Sequence, residues 1–190
     1  MGTNSKNPPK KHIEELVRLA QAGDQTAFEA LYQEYFPKIS RFISLRVSHP
    51  ETAEDLTAEV FVKIWEKIRK ESVIGSFRAW IFTIARNHII DHYRTKKSFS
   101  DLFELENFLG YEDRAIEAIN LDFDTRLFLQ ALDHLAPDQQ QVIRLKFFED
   151  LNNEEISAIM NKPTGTVRVI QHRAINALKK LLNSKKPQNK

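Results

Sequence analysis

The amino-acid sequence predicts an all-α protein. Apolar residues recur at the three- and four-residue spacing of amphipathic helices along most of the chain, and alternating β-branched runs are few. Glycine is rare, with 5 in 190 residues, so few positions would interrupt a long helix. Pro50 and Pro137 stand just ahead of two apolar stripes, where proline can open a helix. Strands are therefore not needed to explain the pattern.

Four helices are predicted in the N-terminal half. The first ends at Gly23 and carries an apolar stripe of Ile13, Leu16, Val17 and Ala20. The second is capped by Asp24 and continues from Pro37; its inward residues are Ala27, Phe28, Leu31, Tyr32, Tyr35, Ile39, Phe42, Ile43 and Val47. The third begins at Pro50, and its carboxylates lie outside a stripe of Ala53, Leu56, Val60, Phe61, Ile64 and Ile68. The fourth spans about residues 77–94, with an inward set of Phe77, Trp80, Ile81, Ile84, Ala85 and His88.

Charge divides the chain into blocks. Residues 10–98 hold 15 basic and 12 acidic groups, whereas residues 99–124 hold one basic and eight acidic groups. Residues 125–190 hold 11 basic and six acidic groups. Two mildly basic blocks around an acidic strip are typical of two polyanion-binding modules joined by a linker that does not itself bind polyanion.

Composition excludes several classes of protein. The chain has no cysteine, which excludes disulfide frameworks, thiolate zinc sites and cysteine nucleophiles. The opening residues, "MGTNSKNPPKKH", lack the apolar core of a signal peptide, and no apolar run reaches the length of about 18 residues that a membrane span needs. We therefore expect a cytoplasmic protein without membrane insertion.

The C-terminal block predicts a helix-turn-helix. Its first apolar stripe is Leu127, Leu132 and Leu135, and Pro137 opens a second with Val142, Ile143, Phe147 and Phe148 inward. Next, Asn152 and Glu155 form a capping box, and Asn161 tolerates the left-handed turn that ends the short helix "NEEISAIM". Thr164 then caps a last helix, whose stripe is Val167, Ile170, Ala174, Leu178 and Leu181.

The opposite face of this last helix is basic. It carries Gly165, Arg168, Val169, His172, Arg173, Asn176, Lys179 and Lys180. The start of such a helix enters the major groove, where arginine binds guanine and small apolar groups contact thymine methyls. An ordinary helical hairpin with a solvated basic face would produce the same local pattern. The rest of the chain must therefore distinguish a DNA-binding helix-turn-helix from such a hairpin.

Two upstream segments, "AEDLTAEVFVKIWEKI" and "SFRAWIFTIARNHIIDHYR", precede the helix-turn-helix in this order. With them, the chain resembles a bacterial RNA polymerase sigma factor of the extracytoplasmic-function group over about residues 12–183. The resemblance implies a sigma region 2 helical bundle at residues 12–98 and a sigma region 4 domain at residues 125–183. An acidic linker at residues 99–124 would join them, and tails would occupy residues 1–11 and 184–190.

The resemblance also implies partners and site residues. The partners would be core RNA polymerase, through its β and β′ subunits, promoter DNA and, as a further candidate, an anti-sigma factor; no catalysis, cofactor or metal is expected. Polymerase contacts would fall on Asp55, Ala58 and Glu59. Contacts to the −10 element would fall on Phe77, Trp80, Arg86, Asn87 and Arg94. Contacts to the −35 element would fall on Thr164, Thr166, Arg168, Val169, His172 and Arg173.

The chain departs from the family pattern at several of these positions. Ala58 stands where glutamine is usual, and Val169 and Ile170 stand where serine and arginine are common, so no promoter sequence can be carried over. Taken without the resemblance, Phe77 and Trp80 would be interpreted as core residues.

Two other functions fit parts of the pattern. A one-component helix-turn-helix transcription regulator would explain the C-terminal motif, but not "DLTAEVF" and "WIFTIARN" in one chain. A metal-dependent hydrolase would use His88 and His92, four residues apart with Asp91 between them, a spacing that can bind zinc. No third ligand is set up nearby, so the sequence favours the sigma factor.

Overall fold

The computed structural model describes residues 10–47, 49–70, 73, 75–96 and 123–185, and every regular element in these ranges is helical. The N-terminal half contains α1 (Lys10–Gln21), α2 (Gln25–Ser44), α3 (Pro50–Ile68) and α4 (Phe77–Lys96). The C-terminal half contains α5 (Phe123–Asp133), α6 (Pro137–Ile143), a π-helical turn (Arg144–Phe148), α7 (Asn153–Met160) and α8 (Thr164–Lys185). The predicted all-α fold is confirmed.

Most of the predicted tails and almost all of the predicted acidic linker, at residues 1–9, 97–122 and 186–190, lie outside the described residues. Within the part of the chain that is described, no helix has both the length and the apolar character of a membrane span.

Several helix ends follow the local signals in the sequence. Asp24 caps α2 by accepting a hydrogen bond from the Ala27 N–H at 3.0 Å. Gly23, with φ of 94°, takes the left-handed conformation that lets the chain turn sharply after α1. Pro50 lies in the first turn of α3, where its missing N–H costs no helical hydrogen bond.

The second helix continues at Pro37, as predicted, without a break at the proline. The chain continues through it as the single helix α2, which buries Leu31 and Tyr35 on one side of the proline and Ile39 and Phe42 on the other. Proline inside a helix removes one backbone hydrogen bond and costs about 3 kcal/mol. Burial of a continuous stripe offsets that cost here, since each large apolar side chain contributes about 1.5–3 kcal/mol.

One apolar cluster joins the four N-terminal helices and extends into the C-terminal half through α7 and the start of α8. The rings of Phe42 and Phe82 meet edge to face near its centre, with centroids 5.1 Å apart. Phe82 was not in the predicted inward set of α4, and neither were Ile89, Ile90 and Tyr93, which are also buried. The predicted stripe was too narrow because α4 packs against α2 and α3 on one side and against α7 on another.

A π-helical turn explains a second difference from the predicted core. A π-helical turn takes one more residue than an α-helical turn, so it rotates the side chains that follow it. Leu145 becomes fully buried, while Phe147, predicted to point inward, is 60% exposed and Phe148 is half-buried. A smaller cluster around Leu132, Ile143 and Ala174 then closes α5, α6 and α8 together.

Candidate functional site

The predicted helix-turn-helix is present, with its corner formed as expected. Asn152 Oδ1 accepts from the Glu155 N–H and Glu155 Oε2 accepts from the Asn152 N–H, both at 2.9 Å, which completes the capping box of α7. Asn161 ends α7 in the left-handed region, with φ of 51°. The Ser157 hydroxyl then donates to the Lys162 carbonyl at 2.6 Å and closes the turn. α8 begins at Thr164, so the cap position falls on Pro163, one residue before the predicted cap.

The predicted DNA face of α8 is exposed. Val167, Ala174 and Leu178 are buried beneath it, and the opposite side presents Gly165, Thr166, Arg168, Val169, His172 and Arg173. Thr164, the remaining residue assigned to the −35 element, is half-buried. Arg168 lies 3.6 Å from Glu154 on α7, but both side chains are about two thirds exposed. An exposed ion pair of this kind is weak, so Arg168 can leave the Glu154 carboxylate and bind another hydrogen-bond acceptor.

The three residues assigned to polymerase binding lie together on the outer surface of α3. Asp55, Ala58 and Glu59 are all exposed, and they follow one another along less than two turns of helix. Beside them runs an apolar groove, whose lining includes Ala58 itself together with Phe28, Tyr32, Phe61, Val62 and Trp65. Tyr32 was predicted to point inward, but it is 38% exposed at this groove, where its ring packs against the rings of Phe36 and Phe61. The surface therefore combines carboxylates with a cleft for an apolar side chain.

Glu59 also has a partner inside the protein. Its Oε2 lies 2.6 Å from Nε2 of His88 on α4, and Nδ1 of the same ring lies 2.7 Å from Lys63 Nζ. His92, the other histidine of the metal-site interpretation, packs edge-on against Tyr93. Among the described residues, no group of three histidine, aspartate or glutamate side chains is arranged to hold a metal ion.

The residues assigned to the −10 element fall into two groups. Asn87 and Arg94 are exposed, and Arg86 donates to Asn87 Oδ1 at 3.3 Å. Burial and the nearby Arg46 lower the pKa of Arg86, so this guanidinium favours an anionic neighbour such as a phosphate. Phe77, in contrast, is only 7% exposed and meets the ring of Tyr35, and Trp80 is half-buried beside Phe77.

Polar contacts between the two halves cover the start of α4. Ser76 donates to Glu155 Oε1 at 2.6 Å, and Arg78 donates to the carbonyls of Glu149 and Asp150, the latter at 3.0 Å. Asp150 holds a left-handed conformation at this contact, with φ of 52°. A base could therefore stack on Phe77 only after the helix-turn-helix moves away from α4.

A second arginine strengthens the same contact. Arg41 of α2 donates a hydrogen bond to the Phe148 carbonyl. Its guanidinium also lies 3.1 Å from Oε2 of Glu149, whose side chain is only 1% exposed. Neither Arg41 nor Arg78 was among the residues that the sequence indicated as functional. The available signal was that neither has an acidic residue three or four positions away, so neither can pair along its own helix.

Comparison with known proteins identifies both halves. The family model described as sigma-70 region 2 matches residues 31–99, and the model described as sigma-70, region 4 matches residues 131–180. The RNA polymerase sigma factor YlaC of Bacillus subtilis is 30% identical over 157 residues, which cover 81% of this chain and 91% of YlaC. The ECF RNA polymerase sigma factor BldN of Streptomyces coelicolor is 34% identical over 177 residues, which cover 88% of this chain and 65% of BldN.

A solved structure agrees with this fold. The sigma factor RpoE from Bartonella quintana, in complex with the anti-sigma factor NepR, superposes with a TM-score of 0.57 at 24% identity. The superposition covers 84% of this chain and 98% of RpoE. On the evidence of both sequence matches and fold, the chain belongs to the RNA polymerase sigma factors of the extracytoplasmic-function group, which direct promoter-specific transcription.

Proposed function

We propose that this sigma factor binds core RNA polymerase through Asp55, Ala58 and Glu59 of α3. The single observation that supports this most is the arrangement of exposed carboxylates beside the apolar groove of Phe28, Tyr32, Val62 and Trp65. Carboxylates on a helix surface can form charge-assisted hydrogen bonds with arginines of a partner, and the groove can bury an apolar anchor beside them. The β and β′ subunits of the polymerase are the partners that the family resemblance implies.

Promoter DNA would bind at two separate surfaces. The exposed start of α8, with Thr164, Thr166, Arg168, Val169, His172 and Arg173, would read the −35 element as duplex in the major groove. The surface of α4 would hold the −10 element as unstacked single strand, with Asn87 bonding a base and Arg86 and Arg94 contacting its backbone. Phe77 and Trp80 would become stacking surfaces in the bound state.

The protein itself would perform no chemistry, since phosphoryl transfer belongs to the polymerase. We propose that it acts in the cytoplasm, where that polymerase transcribes. An anti-sigma factor is a further proposed partner, because RpoE of Bartonella quintana, which shares this fold, was solved with one bound.

The polymerase assignment is tested by reversing charge on α3. Asp55→Lys together with Glu59→Lys should abolish co-purification with core polymerase, because both side chains lie outside the apolar stripe. Since Glu59 also contacts His88, the single change Asp55→Lys is the cleaner version and should weaken binding without touching a buried group. Glu54→Lys with Glu66→Lys is the matched control, with the same charge change at other exposed positions of α3.

Run-off transcription on genomic fragments gives the functional readout. We expect the wild type and the control to start transcripts at the same promoters, and the Asp55/Glu59 variant to start none. Unchanged polymerase binding by a folded Asp55/Glu59 variant would reject the α3 assignment. Specific promoter binding by the free chain, with no binding to polymerase, would instead favour a one-component regulator.

A further inference from the structure

His88 connects the helix assigned to polymerase binding with the helix assigned to the −10 element. It follows Asn87 directly on α4, yet its own side chain is buried and points at α3. There its two ring nitrogens contact Glu59 and Lys63, one helical turn apart. The three side chains form a continuous chain of polar contacts from Lys63 through His88 to Glu59.

The chemistry of the three groups determines which atom donates and which accepts in each hydrogen bond. A lysine ammonium can only donate hydrogen bonds, so Nδ1 of His88 accepts from Lys63. A neutral imidazole with an accepting Nδ1 carries its proton on Nε2. The Nε2–H therefore donates to Glu59 Oε2, with the two atoms 2.6 Å apart, and the charge of the carboxylate strengthens this hydrogen bond.

We propose that His88 is a positioning residue for polymerase binding, which acts by holding the Glu59 carboxylate in the orientation that meets the polymerase. This rests on the proposed function of Glu59. The Glu59 side chain is 59% exposed, so the protein fixes one carboxylate oxygen while the rest of the group faces solvent. Lys63 supports the arrangement from the other side of the ring by fixing which nitrogen carries the proton.

Holding the carboxylate in advance should strengthen binding. A glutamate on a helix surface samples many rotamers, and a partner that orders it must offset that lost freedom. Here the ordering takes place when the chain folds, so the polymerase meets a carboxylate that is already oriented. The expected effect of one such side chain is about three- to tenfold in Kd.

The packing around His88 does not itself call for a polar ring. Ala85, one turn earlier on α4, and the adjacent Ile89 are both buried, and α3, which packs on α4, buries Val60 and Ile64. An apolar side chain could fill the same space without needing hydrogen-bond partners. We therefore attribute the presence of a histidine here to its hydrogen bond with Glu59, an exposed carboxylate on the proposed polymerase surface.

A double-mutant cycle on the full chain tests the proposal. The affinity for core RNA polymerase would be measured for the wild type, His88→Leu, Glu59→Ala and the combined variant. We expect His88→Leu to weaken binding about three- to tenfold in the wild-type background and to have almost no effect once Glu59 is alanine. His88→Gln, which keeps an N–H donor near the position of Nε2, should recover most of the affinity. His92→Leu, one turn further along α4, is the matched control.

The outcomes separate this proposal from the proposed function. Failure of the wild-type chain to bind core polymerase would reject the proposed function itself. Binding that is weakened equally by His88→Leu with and without Glu59 would mean that the histidine only stabilises the fold, and would overturn the positioning role. Full affinity of His88→Leu, or no recovery with His88→Gln, would overturn it as well.

Discussion

At the scale of single residues, the burial of Tyr35 has a measurable effect on the pKa of its phenol. The side chain packs against Phe77 under the helix-turn-helix, and its burial raises the pKa of the phenol to about 12. In the unfolded chain the pKa of tyrosine is near 10. Between these pH values the unfolded state loses a proton that the folded state keeps, so stability falls as pH rises.

We therefore expect a loss in the free energy of unfolding of about 1.4 kcal/mol per pH unit from Tyr35 between pH 10 and 12. Tyr35→Phe removes the ionisable group and should show a shallower decline over that range. Urea unfolding of both proteins between pH 8 and 11.5 measures the difference. Parallel declines would show that the phenol is not shielded from water.

Arg168 is the residue through which the −35 assignment can be tested. It is exposed at the start of α8, and its contact with the Glu154 carboxylate is weak. If it binds guanine with two hydrogen bonds, Arg168→Ala should cost about 1–3 kcal/mol on the preferred promoter and relax selectivity at one base pair. Lys180→Ala, on the same face further along α8, is the control. An equal loss for Arg168→Ala on every promoter variant would indicate a phosphate contact.

At the scale of elements, the two ends of α7 are set by single polar residues. Asn152 caps its start and Asn161 ends it in the left-handed region. We expect Asn152→Ala to lower the free energy of unfolding by about 1 kcal/mol, since it removes the acceptor for the Glu155 N–H. Asn161→Gly should be tolerated, whereas Asn161→Val should cost about 1–2 kcal/mol because a β-branched residue resists positive φ. Thermal unfolding of the three variants checks this order.

Elements with a local signal were predictable from the sequence, and those that depend on long-range packing were not. The caps at Asp24 and Asn152 each involve residues three positions apart, so their signals lie within one turn of helix. The burial of Phe82 depends instead on the packing of α4 against helices that are distant in the sequence. The π-helical turn that exposes Phe147 has no comparable signal in the sequence; it follows α6, which packs on α8.

In the candidate site, too, features with a local sequence signal were predictable and contacts between distant residues were not. Family motifs indicated Asp55 and Glu59, and the apolar stripe of α3 correctly predicted that both side chains would be exposed. The burial of His88 also followed from helical periodicity. Its contact with Glu59 did not, because the two residues are 29 positions apart and meet only when α3 packs on α4.

At the scale of the whole molecule, the two halves close over the start of α4, which carries Phe77 of the residues assigned to the −10 element. Ser76, Phe77 and Arg78 lie against the helix-turn-helix, while the DNA face of α8 remains exposed. The closed arrangement would therefore hinder single-strand capture more than duplex reading. Glu149 is buried at this contact and paired with Arg41, so a change of charge at Arg41 should destabilise the contact.

Arg41→Glu places a second carboxylate against Glu149 and should open the two halves. Breaking a fully buried ion pair costs about 3–5 kcal/mol, but Arg41 is 51% exposed, so we expect about 2 kcal/mol, or roughly a 30-fold shift in the equilibrium. The variant should have a larger radius of gyration in solution scattering and should bind a −10 single strand more tightly, with little change for a −35 duplex. Arg18→Glu, an equal charge change at an exposed site on α1, is the control. An Arg41→Glu protein that is as compact as the control and binds the single strand no better would show that this contact does not limit access to α4.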